Sequence, residues 1–256
     1  GYATHIASGQ YAQALELILD GLPLPESVCR VCHRPCEDAC VRAATDEPVA
    51  INDLKRFVVE WANDHSARIA APPTPAEHGA RVAVVGGGPA GLAAAYDLRA
   101  RGYRVALFDA RGEAGGMLRW GIPEYRLPKA ALARDIERVL ASGVVLHTGR
   151  ALGRDLSLRS LTEEHDAVVL AIGAWRPLTL DLPSDGSVTL VDALAYLERG
   201  DAETASRVVV VGGGNSAVDA ARTALRRGAT SVTIACLEER PEMPAIDSEI
   251  DAALHE

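Results

Sequence analysis

The sequence predicts an α/β fold: two parallel-sheet units preceded by a small α-helical segment. Two observations predict the sheets. The segment RVAVVGGGPAGLAAAYDLRARGYRVALFDA from Arg81 is matched by RVVVVGGGNSAVDAARTALRRGATSVTIACLE from Arg207. Both read as strand, glycine turn, helix and strand, and each first strand is the near-continuous apolar run of a strand buried on both faces. A third observation sets the amino-terminal part aside: Cys29, Cys32, Cys36 and Cys40 fall within twelve residues, ahead of both repeats.

Taken in chain order, Tyr11, Leu15 and Ile18 give a helical stripe at spacings of four and three, and a second helix is expected from about Ile51 to Ala67. Ala70-Ala71-Pro72-Pro73-Thr74-Pro75 reads as a stiff linker, because successive prolines disfavour helix and donate no backbone hydrogen bonds. Three domains follow: 1–75 helical with the cysteines, 76–190 the first dinucleotide-type unit and 191–256 the second, both sheets incomplete. The chain starts without methionine, heading into a helix, and stops inside another, so a fragment or excised core is expected.

The glycine turns carry the dinucleotide-binding chemistry of Rossmann-like folds. In GGGPAG (86–91), Gly86 permits the turn after the strand, Gly88 lets the backbone approach a pyrophosphate, and Gly91 lets helix and strand pack closely. Pro89 and Ala90 open the helix, whose free amides and positive dipole end face the phosphate. Asp109 closes the second strand 18 residues beyond Gly91, where an acid accepts hydrogen bonds from a ribose. In GGGNSA (212–217), Gly212 and Gly214 are followed by Ala217 in the third small-residue position, which the motif tolerates, while Asn215 and Ser216 add polar side chains at the helix start. Spacing alone assigns no cofactor to either motif.

Four closely spaced cysteines suit either an iron–sulfur cluster or a closed tetrahedral zinc site. His33 reads as an exposed loop histidine and Cys236 as a small buried residue. Apolar content of 48% with 24% charged residues is that of a globular protein. A net charge of −9 and an aromatic content of 4% argue against nucleic-acid binding. No apolar run reaches the roughly 18–20 residues of a membrane span, and the first twenty residues do not read as a signal peptide. A cytoplasmic location is the expectation, and there clustered cysteines serve as metal ligands more often than as disulfides.

With these residues in view, the chain resembles the small (beta) subunit of glutamate synthase and its relatives, including the amino-terminal part of dihydropyrimidine dehydrogenase. The likeness runs through the Cys32–Cys40 segment, Asp46-Glu47-Pro48-Val49-Ala50-Ile51, GGGPAG, GIPEYRLPK (121–129), GGGNSAVDAARTAL and Glu242-Met243-Pro244-Ala245. Gly115-Gly116-Met117-Leu118 and the segment from Gly121 to Pro128, with Arg126, resemble the region that wraps a flavin. Ala171-Ile172-Gly173-Ala174 resembles the crossover into a nicotinamide domain.

The resemblance implies FAD at the first motif, a nicotinamide nucleotide at the second, and 4Fe–4S clusters whose ligands are shared between two cysteine groups. Cys32, Cys36 and Cys40 match that pattern. Cys29 stands one residue from where relatives often place a cysteine, and Lys55 occupies the position where dihydropyrimidine dehydrogenase supplies a glutamine ligand. The implied reaction passes hydride from NAD(P)H to FAD, then single electrons through iron–sulfur centres to a partner subunit, in a hetero-oligomer. Relatives using NADPH carry two arginines where this chain has Leu237 and Glu238, so NADH is favoured, with Arg226 and Arg240 as the nearby cations. No side chain presents itself as an acid–base catalyst; Glu124 and Arg126 are candidates for positioning. A flavin-dependent disulfide reductase and a non-catalytic zinc- and nucleotide-binding adaptor are the alternatives.

Overall fold

The computed structural model describes residues 1–65, 76–77, 79–177, 186–200 and 204–256. The proline-rich linker lies outside these residues. The chain divides into two compact units, one of residues 1–119 and 124–173, the other of residues 120–123 and 174–256.

The first unit begins with α1 (Tyr2–Ala7), α2 (Tyr11–Gly21), α3 (Pro25–Val31), α4 (Pro35–Asp38), a 3-10 turn at Val41–Ala44 and α5 (Ile51–Asp64). The stripe read from the sequence does its expected work: Leu15 and Ile18 of α2 pack with Ala14 against Val58, Val59 and Ala62 of α5, forming a buried core. Tyr11 meets Phe57 and Trp61 edge-on, each at 5.3 Å between ring centroids, at the border of that core.

Next come β1 (Arg81–Val85), α6 (Pro89–Ala100), β2 (Arg104–Phe108), α7 (Met117–Trp120), α8 (Lys129–Ala141), β3 (Val145–His147), α9 (Leu158–Glu164) and β4 (Ala167–Leu170). The four strands form one parallel sheet in the order β3-β2-β1-β4. Central β1 is buried from Val82 to Val85, as its unbroken apolar run requires. Reversal of strand order beside β1 opens a crevice at the carboxyl ends of the strands, where ligands of such sheets bind.

The amino-terminal helices and this sheet are joined inside the first unit. Ser27 N donates to Asp135 Oδ2 at 2.7 Å, and Arg134 Nε to Glu26 Oε1 at 2.8 Å. These pairs tie α3 to α8 across more than a hundred residues of sequence.

In the second unit, α10 (Ala193–Glu198) precedes β5 (Arg207–Val211), α11 (Asn215–Arg226), β6 (Ser231–Ala235), a 3-10 turn at Arg240–Glu242 and α12 (Asp247–His255). Strands β5 and β6 pair in parallel, with Arg207 opposite Ser231 and Val211 opposite Ala235. Residues 217–224 of α11 are all buried, and Val218 packs with Ala245 and Ile250. The repeat seen in the sequence is thus a repeat of β-α-β units, giving a helical amino-terminal segment followed by Rossmann-like α/β folds.

Candidate functional site: two glycine loops and a cysteine segment

Gly86 leaves β1 with φ +110, and its amide donates to Phe108 O at 2.7 Å. A Cβ on Gly86 would stand 2.2 Å from Ala171 O, and one on Gly91 only 1.7 Å from Gly86 O. Both positions therefore require glycine because backbone meets backbone there. Gly88 differs: a Cβ would meet only Gly116 Cα, at 3.6 Å. Gly88 is the N-cap of α6, Pro89 takes the first helical position, and no side chain caps the helix. The orphan amides of the first turn are thus available to a phosphate, and Ala90 beside them is exposed.

Asp109 is buried beneath this loop. Its Oδ2 accepts from Gly87 N at 2.7 Å and its Oδ1 from Arg111 N at 2.8 Å, so it fixes the loop to the end of β2. The glycine pair 115–116 closes over the loop from outside. Gly115 N donates to Gly87 O at 2.7 Å, and a Cβ on Gly116 (φ +53) would lie 2.6 Å from Gly88 Cα. Met117 starts α7 directly behind. Gly86, Gly88, Gly91 and Asp109, read from the sequence as one motif, thus converge with Gly116 of the separate 115–118 segment.

Arg126 is half-buried in the segment between α7 and α8, next to buried Leu127. Exposed Glu124 accepts from Lys129 N at 3.1 Å, and Lys129 Nζ donates to Leu118 O at 3.1 Å. This lysine, which sequence reasoning passed over, pins the GIPEYRLPK segment to α7; its place at the end of that motif was the only signal. Gly173 follows β4 with φ +70 and is exposed.

The second loop repeats the plan with different residues. Gly212 has φ +130, and its amide donates to Ala235 O at 2.8 Å. Gly214 is the N-cap of α11, which also lacks a side-chain cap, and a Cβ there would meet nothing within 4 Å. Ala217 is buried against the turn, and Ser216 is exposed. Asn215 Oδ1 accepts from Ile246 N at 3.0 Å, and Gly213 O accepts from Ala245 N at 3.0 Å. The Glu242–Ala245 segment therefore covers the second loop as the glycine pair covers the first.

Glu238 completes the parallel. A Cβ on Gly213 would lie 3.1 Å from Glu238 Oε2, much as one on Gly87 would lie 2.8 Å from Asp109 Oδ2. Cys236, half-buried rather than buried, holds the chain position of Asp109, and its Sγ donates to Glu238 O at 3.3 Å. The turn thereby brings a carboxylate two residues further on to the same place beside the middle glycine. The two nearby cations are engaged: Arg240 bonds Asp247 Oδ1 at 3.1 Å and Asp251 Oδ1 at 2.7 Å, while Arg226 bonds Glu256 Oε1 at 2.6 Å.

The cysteines lie apart from one another in environment. Cys29 is buried at 2% exposure, and burial pushes its thiol up to about 11. Cys36 is exposed, and Cys32 accepts from Arg34 N at 3.4 Å. Cys40 is held below the usual thiol range, first by a hydrogen bond from the Val49 backbone and then by one from Arg42. Amide donors aimed at sulfur stabilise a thiolate and suit an iron–sulfur ligand. Among the described residues no three His, Cys, Asp or Glu side chains converge as a metal site.

Comparison with known proteins agrees with this geometry. The family described as pyridine nucleotide-disulphide oxidoreductase matches residues 80–256, and that described as dihydropyrimidine dehydrogenase domain II, 4Fe-4S cluster, matches residues 1–67. The chain is 39% identical to the NADPH-Fe(3+) oxidoreductase subunit beta of Geobacter sulfurreducens, over 98% of this chain and 39% of that protein. It is 37% identical to the NADP(+)-dependent formate dehydrogenase subunit beta of Moorella thermoacetica, over 97% and 39%. With the glutamate synthase [NADPH] small chain of Azospirillum brasilense the identity is 36%, over 98% and 56%. The chain thus spans 39–56% of the length of these relatives. Mycobacterium tuberculosis FprA in complex with NADPH shares the fold, with a TM-score of 0.60, 20% identity, and coverage of 69% of this chain and 47% of that one. The chain belongs to the pyridine nucleotide-disulphide oxidoreductase family, among the members that carry a dihydropyrimidine dehydrogenase-type 4Fe-4S segment and are related to the glutamate synthase small subunit.

Proposed function

We propose that this chain is the electron-input part of an NAD(P)H-oxidising flavoprotein that delivers single electrons to a partner subunit. FAD occupies the first glycine loop, a nicotinamide nucleotide the second, and Cys32, Cys36 and Cys40 ligate 4Fe–4S clusters together with ligands beyond this segment. The observation that carries the reading is the paired design of the loops. Each has an uncapped helix amino terminus, a middle glycine with a carboxylate beside it, and a downstream segment bonded to that glycine's carbonyl.

The protein's own contribution is binding and orientation. The amides of α6 and α11 would take phosphates, Asp109 and Glu238 would stand nearest the ribose at their loops, and the Gly115-Gly116 pair restricts the first loop to one shape. Bound flavin supplies the conversion between two-electron hydride chemistry and one-electron transfer. Amide donors at Cys32 and Cys40 bias the charge and potential of what the thiolates hold. The subunit names of the Geobacter and Moorella relatives support a multi-subunit assembly, and their differing names leave the terminal acceptor a property of the partner. The domain division at 75 and 190 belongs to the same proposal, as does a cytoplasmic location. No helix of the described residues is long and apolar enough to cross a membrane.

NADH is the preferred donor in this reading, although relatives carry NADPH or NADP(+) in their names. Glu238 would repel a 2′-phosphate, and Arg226 and Arg240 are already paired with acids. A higher kcat/KM with NADPH than with NADH would refute this part. The main reading is tested by the visible spectrum of anaerobically purified full-length protein. Flavin bands over a broad iron–sulfur shoulder, bleached by NADH, are expected; a colourless protein would refute it.

A further inference from the structure

Helix α3, which leads into Cys32, has an N-cap residue, Leu24, that offers no side-chain acceptor. Its orphan amides are met from far away in the sequence. Asp135 on α8 accepts from Ser27 N at 2.7 Å and from Glu26 N at 3.3 Å, with Asp135 only 1% exposed. Neighbouring α8 residues reinforce the joint. Arg134 Nε donates to both carboxylate oxygens of buried Glu26, at 2.8 and 2.9 Å, and Arg138 donates to Pro23 O just ahead of α3.

The same helix also touches the first glycine loop. Leu132, one turn before Asp135, lies 3.0 Å from where a Cβ on Gly115 would stand, and Gly115 N is bonded to Gly87 O. Arg138 sits over the Tyr96 ring of α6 at 5.0 Å and donates to its hydroxyl at 3.2 Å. Between the phosphate-facing glycines and the start of the cysteine helix there is therefore one continuous path of packed groups: Gly88, Gly116, Gly115, Leu132, Asp135 and Ser27.

We propose that Asp135 is a positioning residue for electron exit: it supplies the missing cap of α3 and so holds the cysteine segment in fixed register with the first glycine loop, with Arg134 and Arg138 as supports. The idea rests on the flavin and iron–sulfur reading above. Asp135 touches neither cofactor. Its effect is on where the thiolates sit, and electron transfer depends steeply on such placement.

The test uses the full-length holoprotein. Asp135→Ala is expected to raise amide hydrogen exchange across residues 24–32 about tenfold, as loss of a charged, buried cap requires. FAD content and the rate of flavin bleaching by NADH should stay unchanged, while the subsequent bleaching of the iron–sulfur absorption slows. Asp135→Asn keeps an acceptor for the Ser27 amide and should recover most of the protection and the rate. Unchanged exchange over residues 24–32, or equal slowing of flavin and iron–sulfur bleaching, would overturn the proposal. If Asp135→Ala yields no folded protein, Glu26→Gln, which weakens only the Arg134 bond, should show the same exchange pattern in smaller degree; no change there would also overturn it. A full-length protein without iron would refute the iron–sulfur reading instead, and the exchange measurement would still decide whether Asp135 anchors α3.

Discussion

Glycines of one motif divide into those that the protein needs and those that a ligand needs. Gly91→Ala would drive a methyl to 1.7 Å from Gly86 O, between backbones that cannot both move. It should cost at least about 3 kcal/mol, seen as a lowered urea midpoint, and release FAD. Gly214→Ala meets no atom within 4 Å and has φ −89, so the fold should change by less than about 1 kcal/mol. Its effect should appear as a raised KM for the nicotinamide nucleotide, because only a bound phosphate would feel the methyl. A Gly214→Ala variant with unchanged KM would remove the second loop from the binding site. At Glu238, replacement by arginine should shift the kcat/KM ratio toward NADPH at least about tenfold, since a repelling charge becomes an attracting one.

Much of this scale was readable in the sequence, because GxGxxG residues act through backbone geometry that residue identity already encodes. Asp109 was also readable, as an acid at a strand end. Its bond to Gly87 N was not, nor was the arrival of the Glu238 carboxylate beside Gly213. Both depend on how a loop turns after the strand, and side-chain reach cannot be counted along a sequence.

Among elements, α8 is the one whose role periodicity hides. Its apolar stripe marks a packed helix, but Asp135 reads like any surface acid until α3 is placed beside it 108 residues away in sequence. Burial pushes its carboxyl up to about 6, outweighing the Ser27 and Glu26 amides that favour the charged form. A raised acid pKa means that the folded state holds the proton more tightly than the unfolded one. Stability should therefore be highest below the ordinary value near 4 and decline as pH rises to about 6, by up to about 3 kcal/mol. Urea midpoints at pH 4.5 and 7 should reveal this slope in the wild type, and Asp135→Asn should flatten it. Equal slopes would remove Asp135 as its source. The buried face of α2, by contrast, was legible from Leu15 and Ile18, since neighbouring turns of one helix declare such a face locally, whereas α5 as its partner was not.

At the scale of the molecule, the cysteine segment and the glycine loops are served by different residues, so their losses should separate. Cys32→Ser in the full-length protein should lower iron content and the broad iron–sulfur absorption while FAD remains bound. Loss of both together would show that the segment folds only around its metal. Order along the chain, with cysteines first and two β-α-β repeats after, was plain in the sequence because each part has a local signature. The joint between the first two parts was not, since the proline-rich stretch from 70 to 75 suggested separation while Glu26, Arg134 and Asp135 tie α3 to the α/β sheet.

The two carboxylates beside the middle glycines reach equivalent points by unequal routes. Asp109 is locked under its loop by two amides, whereas Glu238 sits on an exposed turn beyond β6. Selection can therefore act on them separately. On the proposed assignment of the loops, a single change or a one-residue insertion after β6 would alter the preference for one nicotinamide nucleotide over the other without touching the loop at Asp109.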